Sequence, residues 1–216
     1  GMLSCLIYLF LLTKTSDCRE KRTLEKTSAL MYNLIRKWIG YDIRFALSIG
    51  FLNKYPKLYK NGYFQLLEIK SAEDLETLKD FLKSNIGEFK FLSQWVKCER
   101  TGKKQLQVFS AAPSFQGYYI DWNKNDEKTN LLKEICDIIV SNEYESIAKV
   151  AAIRAHETSK SVSLHLTLVG QGAFNNPSEV MKNSLQKVKK ELENTDVKVY
   201  LHGYNKKDFQ KWKNIL

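Results

Sequence analysis

Two short loops hold the residue types that could do chemistry in this chain. The first is Gly170-Gln-Gly-Ala-Phe-Asn-Asn176, set between an alternating apolar segment and a helix-like one. Its glycines free the backbone to turn sharply, or to admit a ligand where a Cβ would collide. Asn176 stands where it can cap the next helix, with Pro177 first in that helix and Glu179 completing the layout of a capping box. A helix start aimed across such a loop offers unpaired N–H groups and a positive dipole end, which is the chemistry of a phosphate cradle. The plain alternative is a glycine turn that only closes a strand-to-helix connection, and G-x-G alone does not separate the two. The second loop is Pro113-Ser-Phe-Gln-Gly-Tyr-Tyr119, in which Tyr118 and Tyr119 offer stacking surfaces. Asp121, just beyond it, is the nearest acidic candidate for acid–base work, against its plain reading as a solvated loop aspartate.

The remaining reactive types are dispersed. Cys5, Cys18, Cys98 and Cys136 form no C-x-x-C, and His156, His165 and His202 form no H-x-x-x-H, so neither a structural zinc nor a cofactor is expected. His165, mid-strand among leucines, reads as a packed histidine rather than a base. Cys136, on the apolar face of a helix, reads as core.

The elements that must position the two loops follow from periodicity. Leu164, Leu166 and Leu168 alternate with Ser163, His165 and Thr167, predicting a strand over Val162–Val169. A helix Pro177–Glu193, a strand Val197–Tyr204 and a short helix Lys207–Ile215 come after it. Upstream, Phe89–Cys98 and Gln105–Ala112 flank Arg100-Thr-Gly-Lys103 as a hairpin. A long helix follows over Leu131–Ala155, with Ser141-Asn142 as a point of interruption. Ser71 caps a helix to Lys83 that turns Leu75, Leu78 and Leu82 inward. Tyr59-Lys-Asn-Gly62 is a turn signal leading into a strand at Tyr63–Ile69. Asp17-Cys-Arg-Glu20 can open a helix to Trp38, while Arg44–Leu52 is apolar and fits a strand or a buried helix. Alternation of strands and helices in the second half predicts helices flanking a mostly parallel sheet, whose ligand loops lie at the carboxyl ends of its strands.

Hydrophobic residues at 44% and aromatics at 12% suffice for a real core and exclude a disordered chain. The balance of 34 basic against 24 acidic residues favours anionic ligands or polyanionic partners. Those basic residues are mostly lysines on helix faces (Lys182, Lys187, Lys189 and Lys190), without the clustered arginines and interleaved aromatics of a nucleic-acid binder, so nucleic acid is not the favoured partner. The apolar run Leu3–Leu12 is too short for a membrane span and reads as a buried strand or helix rather than a targeting element.

With these motifs in place, the chain resembles the macro-domain superfamily, whose members bind ADP-ribose. The resemblance rests on Val108-Phe-Ser-Ala-Ala-Pro113, the helix from Leu131, Leu166-Thr-Leu-Val-Gly-Gln-Gly-Ala-Phe-Asn-Asn-Pro177 and Val197-Lys-Val-Tyr-Leu201. It is similar above all to a divergent macro-like branch with C-S-A-L-P-V-A-Y and L-T-L-x-G-G-G-A-F-G-N motifs, a branch that includes bacterial effectors removing ADP-ribose from modified ubiquitin. The similarity covers roughly residues 105–204. It implies an α/β, macro-domain-like three-layer sandwich, with a mixed, mostly parallel sheet and helices on both faces. Residues 41–216 would form that domain and residues 1–40 an N-terminal extension packed on it.

By the same resemblance, Gly170, Gln171, Gly172, Ala173, Phe174 and Asn175 would wrap the diphosphate and distal ribose, with Pro113, Ser114 and Tyr118 lining the other wall. Gln171 and Asn175 stand where that branch keeps glycine, and no residue matches its catalytic acid, Asp121 being only the nearest candidate. The expected function is binding of ADP-ribose or of an ADP-ribosylated protein, with or without hydrolysis, in the cytoplasm or as a secreted effector inside a host cell. The alternative is a catalytically inactive interaction module whose basic surface holds a protein or nucleic acid.

Overall fold

The computed structural model describes residues 7–12, 51–60, 63–88, 92–115, 120–203, 210–212 and 215. The helix expected over 17–38, most of the apolar segment 44–52 and the side chain of Tyr118 lie outside these residues. The described part is a mixed α/β structure. Its sheet has five strands, β1 (Ile7–Leu12), β4 (Leu92–Lys97), β5 (Lys104–Ser110), β6 (Val162–Thr167) and β7 (Val197–His202), in the order β4-β5-β1-β6-β7. A separate two-residue ribbon pairs β2 (Tyr59–Lys60) with β3 (Tyr63–Phe64). The strand expected over 63–69 is therefore shorter than its pattern suggested, because Leu66–Glu68 tighten into a 3₁₀ turn.

The expectation of a mostly parallel sheet is corrected. Only β6 and β7 pair in parallel; β4–β5, β5–β1 and β1–β6 are antiparallel. The reason lies in the apolar run near the start of the chain. Residues 7–12, assigned above to an extension, enter the sheet as its middle strand and run against both neighbours. Because β1 opposes both β5 and β6, those two strands and β7 share one direction. Their carboxyl ends, Ser110, Thr167 and His202, therefore reach the same edge of the sheet.

Three helices form a layer on one face. Helix α1 (Ala72–Ser84) packs against α2 (Glu127–Thr158), which packs in turn against α3 (Ser178–Glu191) and against β6 and β7. The α1 start is as expected: Ser71 Oγ accepts the Asp74 N–H at 3.3 Å, and Leu75, Leu78 and Leu82 are buried. Helix α2 runs unbroken through Ser141-Asn142, correcting the expected interruption. Ser141 sits inside the helix layer, where its hydroxyl meets Asp137 Oδ1 at 3.0 Å and Ser184 Oγ of α3 at 3.2 Å. These small side chains let α2 and α3 approach closely while satisfying their own polar atoms. Asp126 caps α2 through the Thr129 N–H at 2.9 Å, and Lys124 beside it helps hold the Asp126 carboxyl down to about 2. Buried positions wrap around α2 from Leu131 to Tyr144, because the helix is enclosed by α1, α3 and the sheet at once. From Ile147 they narrow to a single stripe at Ala148, Ala151 and Ala155.

The opposite sheet face carries no helix among the described residues, so only one of the two expected helical layers lies within them. No described helix is long and apolar enough to cross a membrane.

Candidate functional site

The shared direction of β5 and β6 brings the two candidate loops together. Phe115 N–H donates to the Phe174 carbonyl at 3.0 Å, and Asn176 Nδ2 donates to the Pro113 carbonyl at 2.7 Å and to the Phe174 carbonyl at 3.3 Å. Ser114 N–H reaches the Phe64 carbonyl of the small ribbon at 3.0 Å. Side chains pack closely where the described parts of the two loops meet. Phe115 is fully buried, with Trp122 edge-on to it at 5.0 Å, and the indole Nε1 donates to the Asn175 carbonyl at 3.0 Å.

The described candidate residues differ in exposure. Pro113, Ser114, Gly170 and Phe174 are buried; Gly172, Ala173 and Asn175 are exposed, and Gln171 is half-buried. Gly170 is required by its backbone and by its neighbours. Its φ is +79°, and a Cβ there would stand 2.8 Å from both Ala112 Cβ and Asn176 Cγ. A Cβ at Gly172 would meet nothing within 4 Å. Asn175 adopts a φ of +51°, a conformation asparagine tolerates better than most residues. Gln171 turns back along the chain, its Nε2 donating to the carbonyls of Asn176 and Pro177, each at 3.3 Å.

The expected capping box at Asn176 is corrected. Pro177 occupies the N-cap position of α3 and no side chain caps the helix; the Asn176 carboxamide points inward to Pro113 and Phe174 instead. The Asn176 N–H is used within the loop, bonding the Gly170 carbonyl at 2.9 Å. Lys211 Nζ lies 2.6 Å from Ser178 Oγ, at the first residue of α3. Among the described residues, no hydrogen bond engages the N–H of Gly172 or Ala173. Asp121 is exposed, its Oδ1 accepting the Asn123 N–H at 3.0 Å, which is a local turn role.

Two adjacent residues of α2 hold the strand ends from which these loops leave. The Glu143 carboxyl is buried; it accepts the Ser110 hydroxyl and, at 3.4 Å, the Ala111 N–H. Burial pushes its carboxyl up to about 8, against the opposing pull of those two bonds. Tyr144 is fully buried, its hydroxyl donating to the Thr167 carbonyl and accepting the Val169 N–H at 3.0 Å. Glu143 thus ties down the end of β5 and Tyr144 the end of β6. Neither was singled out from sequence, yet a signal existed: Glu143 lies four residues after Ile139 and four before Ile147, on the apolar stripe of its helix.

His165 is satisfied rather than free: its Nδ1 pairs with His202 Nε2 at 2.8 Å, on the sheet face away from α2. Partial burial lowers the pKa of both rings, that of His165 to about 4. Cys136 is core, and burial drives its thiol well up.

Comparison with family models, with characterised proteins and with solved structures finds no match to this chain.

Proposed function

We propose that this chain is an ADP-ribose-binding module of macro-like, three-layer architecture, taking free ADP-ribose or an ADP-ribosyl group on a modified protein. The observation that carries the reading is the uncapped start of α3 with Lys211 against Ser178. A cation beside the positive end of a helix dipole is an unfavourable neighbour, and an anion seated there relieves it. The exposed Gly172–Ala173 backbone adds donors on the same loop, and the formal charge of +10 draws anions from a distance.

The diphosphate would lie on the outer rim of the loop, along Gly172, Ala173 and Asn175, since these are exposed while Gly170, Phe174 and Asn176 are buried. Hydrolysis is not part of the proposal: Asp121 serves its own turn, and an acid held near the anomeric carbon is what glycosidic cleavage requires.

Calorimetric titration with ADP-ribose tests the reading. Binding with a micromolar constant, about −8 kcal/mol, is expected. Gly172→Glu should abolish it while leaving the melting temperature unchanged, because that side chain enters open space with a repelling charge. Absence of heat at millimolar ADP-ribose would sink the idea.

The close packing of Phe115, Trp122 and Asn176 where the loops meet favours a second reading, a ligand-free interaction module whose lysine-rich α3 face meets a protein or nucleic acid. Affinity for a nucleic acid that falls steeply with salt would support it, and salt-insensitive binding would not.

A further inference from the structure

The outer face of β6 and β7 carries a pair of groups that the loop site does not use. Parallel register sets His165 opposite Tyr200 and Thr167 opposite His202, so the two histidines stand diagonally across neighbouring strands. Their ring centroids are 5.0 Å apart with planes 18° from parallel, while Nδ1 of one and Nε2 of the other are only 2.8 Å apart. Centroids that far apart with nitrogens that close place the rings nearly in one plane, edge to edge, with both nitrogens facing one gap. The Tyr200 ring lies against His165 at 4.8 Å and 13°, limiting the rotation of that imidazole.

We propose that His165 Nδ1 and His202 Nε2 form a two-point binding site for a divalent late transition-metal ion. Imidazole nitrogens bind zinc at about 2.0–2.1 Å, so two of them in one coordination shell stand about 2.8–3.4 Å apart at right-angle to tetrahedral geometry. Opening the pair by a few tenths of an ångström and tilting the rings converges both lone pairs on one ion. Their setting permits this, since His202 is exposed and His165 only half-buried. The strand ladder already fixes the two backbones, so little ordering is needed to bring the ligands together.

Ligand type sets the selectivity. Imidazole suits copper, nickel and zinc, whereas magnesium and calcium require oxygen donors. No group of three His, Cys, Asp or Glu side chains surrounds a common point among the described residues, so water completes the shell. Such a site binds at micromolar rather than nanomolar level, with copper(II) held more tightly than nickel(II) or zinc(II). Sequence spacing could not reveal it, because the ligands are 37 residues apart and meet only through strand pairing.

The test uses the full chain, free of any histidine tag, titrated calorimetrically with copper(II) and then zinc(II) in a non-chelating buffer. One copper ion per chain at micromolar affinity is expected, with weaker zinc binding and nitrogen hyperfine structure in the copper electron-spin spectrum. His202→Ala and, separately, His202→Gln should each weaken copper at least about tenfold, a loss typical of a damaged metal site. His156→Ala, which alters the third histidine at the far end of α2, should bind like the parent. Circular dichroism on each variant establishes that the fold is kept. Unchanged copper affinity in folded His202→Ala, or no binding at millimolar copper, would overturn the proposal.

Discussion

The inner and outer halves of the Gly170–Asn176 loop contain similar residues and behave in opposite ways. The inner half, Gly170, Phe174 and Asn176, faces the Pro113 loop and is buried, hydrogen-bonded and closely packed. The outer half, Gly172, Ala173 and Asn175, faces outward, and a side chain added at Gly172 would meet nothing. Two glycines separated by a single residue thus have different physical reasons to exist. Gly170 joins two strand ends; Gly172 leaves backbone uncovered. A glycine-rich loop divides its labour between holding the fold and offering a surface, and the motif alone does not say which glycine does which.

The largest expected effect concerns the support beneath the inner half. Glu143 has its carboxyl raised from 4.5 to about 8, so the native state holds a proton that the unfolded chain releases above its ordinary carboxylate range. Its contribution is therefore fully present below pH 4.5 and is lost as pH rises through 8, a decline on the order of a few kcal/mol. Urea melts across that window should show the decline, and Glu143→Gln should flatten it. A native chain with no such slope would mean that Glu143 is not buried as described.

Next in size is Gly170→Ala, which forces a side chain into a left-handed backbone and against Ala112 and Asn176; a loss of roughly 2–3 kcal/mol is expected by chemical denaturation. Tyr144→Phe should cost about 1–2 kcal/mol, since it strips the hydroxyl from the Thr167 carbonyl and the Val169 N–H. The smallest effect sharpens the comparison most: Gly172→Ala should change stability by less than about 0.5 kcal/mol. Equal losses at Gly170 and Gly172 would erase the division between the two halves.

Much of the local structure was legible in the sequence. Ser71 and the Leu75, Leu78, Leu82 spacing locate α1, the hairpin around Arg100–Lys103 is present, and Val162–Thr167 alternates buried and half-buried residues as its leucines require. The candidate loops were legible as loops, and their meeting followed from placing both at strand ends. Less legible was what each side chain does there. Asn176 carries every local mark of a helix cap, yet its amide goes to Pro113, 63 residues away. The carbonyl that competes for it is invisible in a window of seven residues.

Periodicity, capping chemistry and turn residues act over a few positions, so the chain by itself settles where α1, α2, α3 and most of the described strands lie. Direction and partnership were decided only in three dimensions. Whether β5 and β6 are neighbours or are separated by an antiparallel strand depends on where residues 7–12 dock, and an apolar run fits any strand position with two neighbours. The same pairing brings His165 to His202 and Glu143 to Ser110. Such contacts arise from packing between distant segments, where burial and register, rather than local preference, set the free energy.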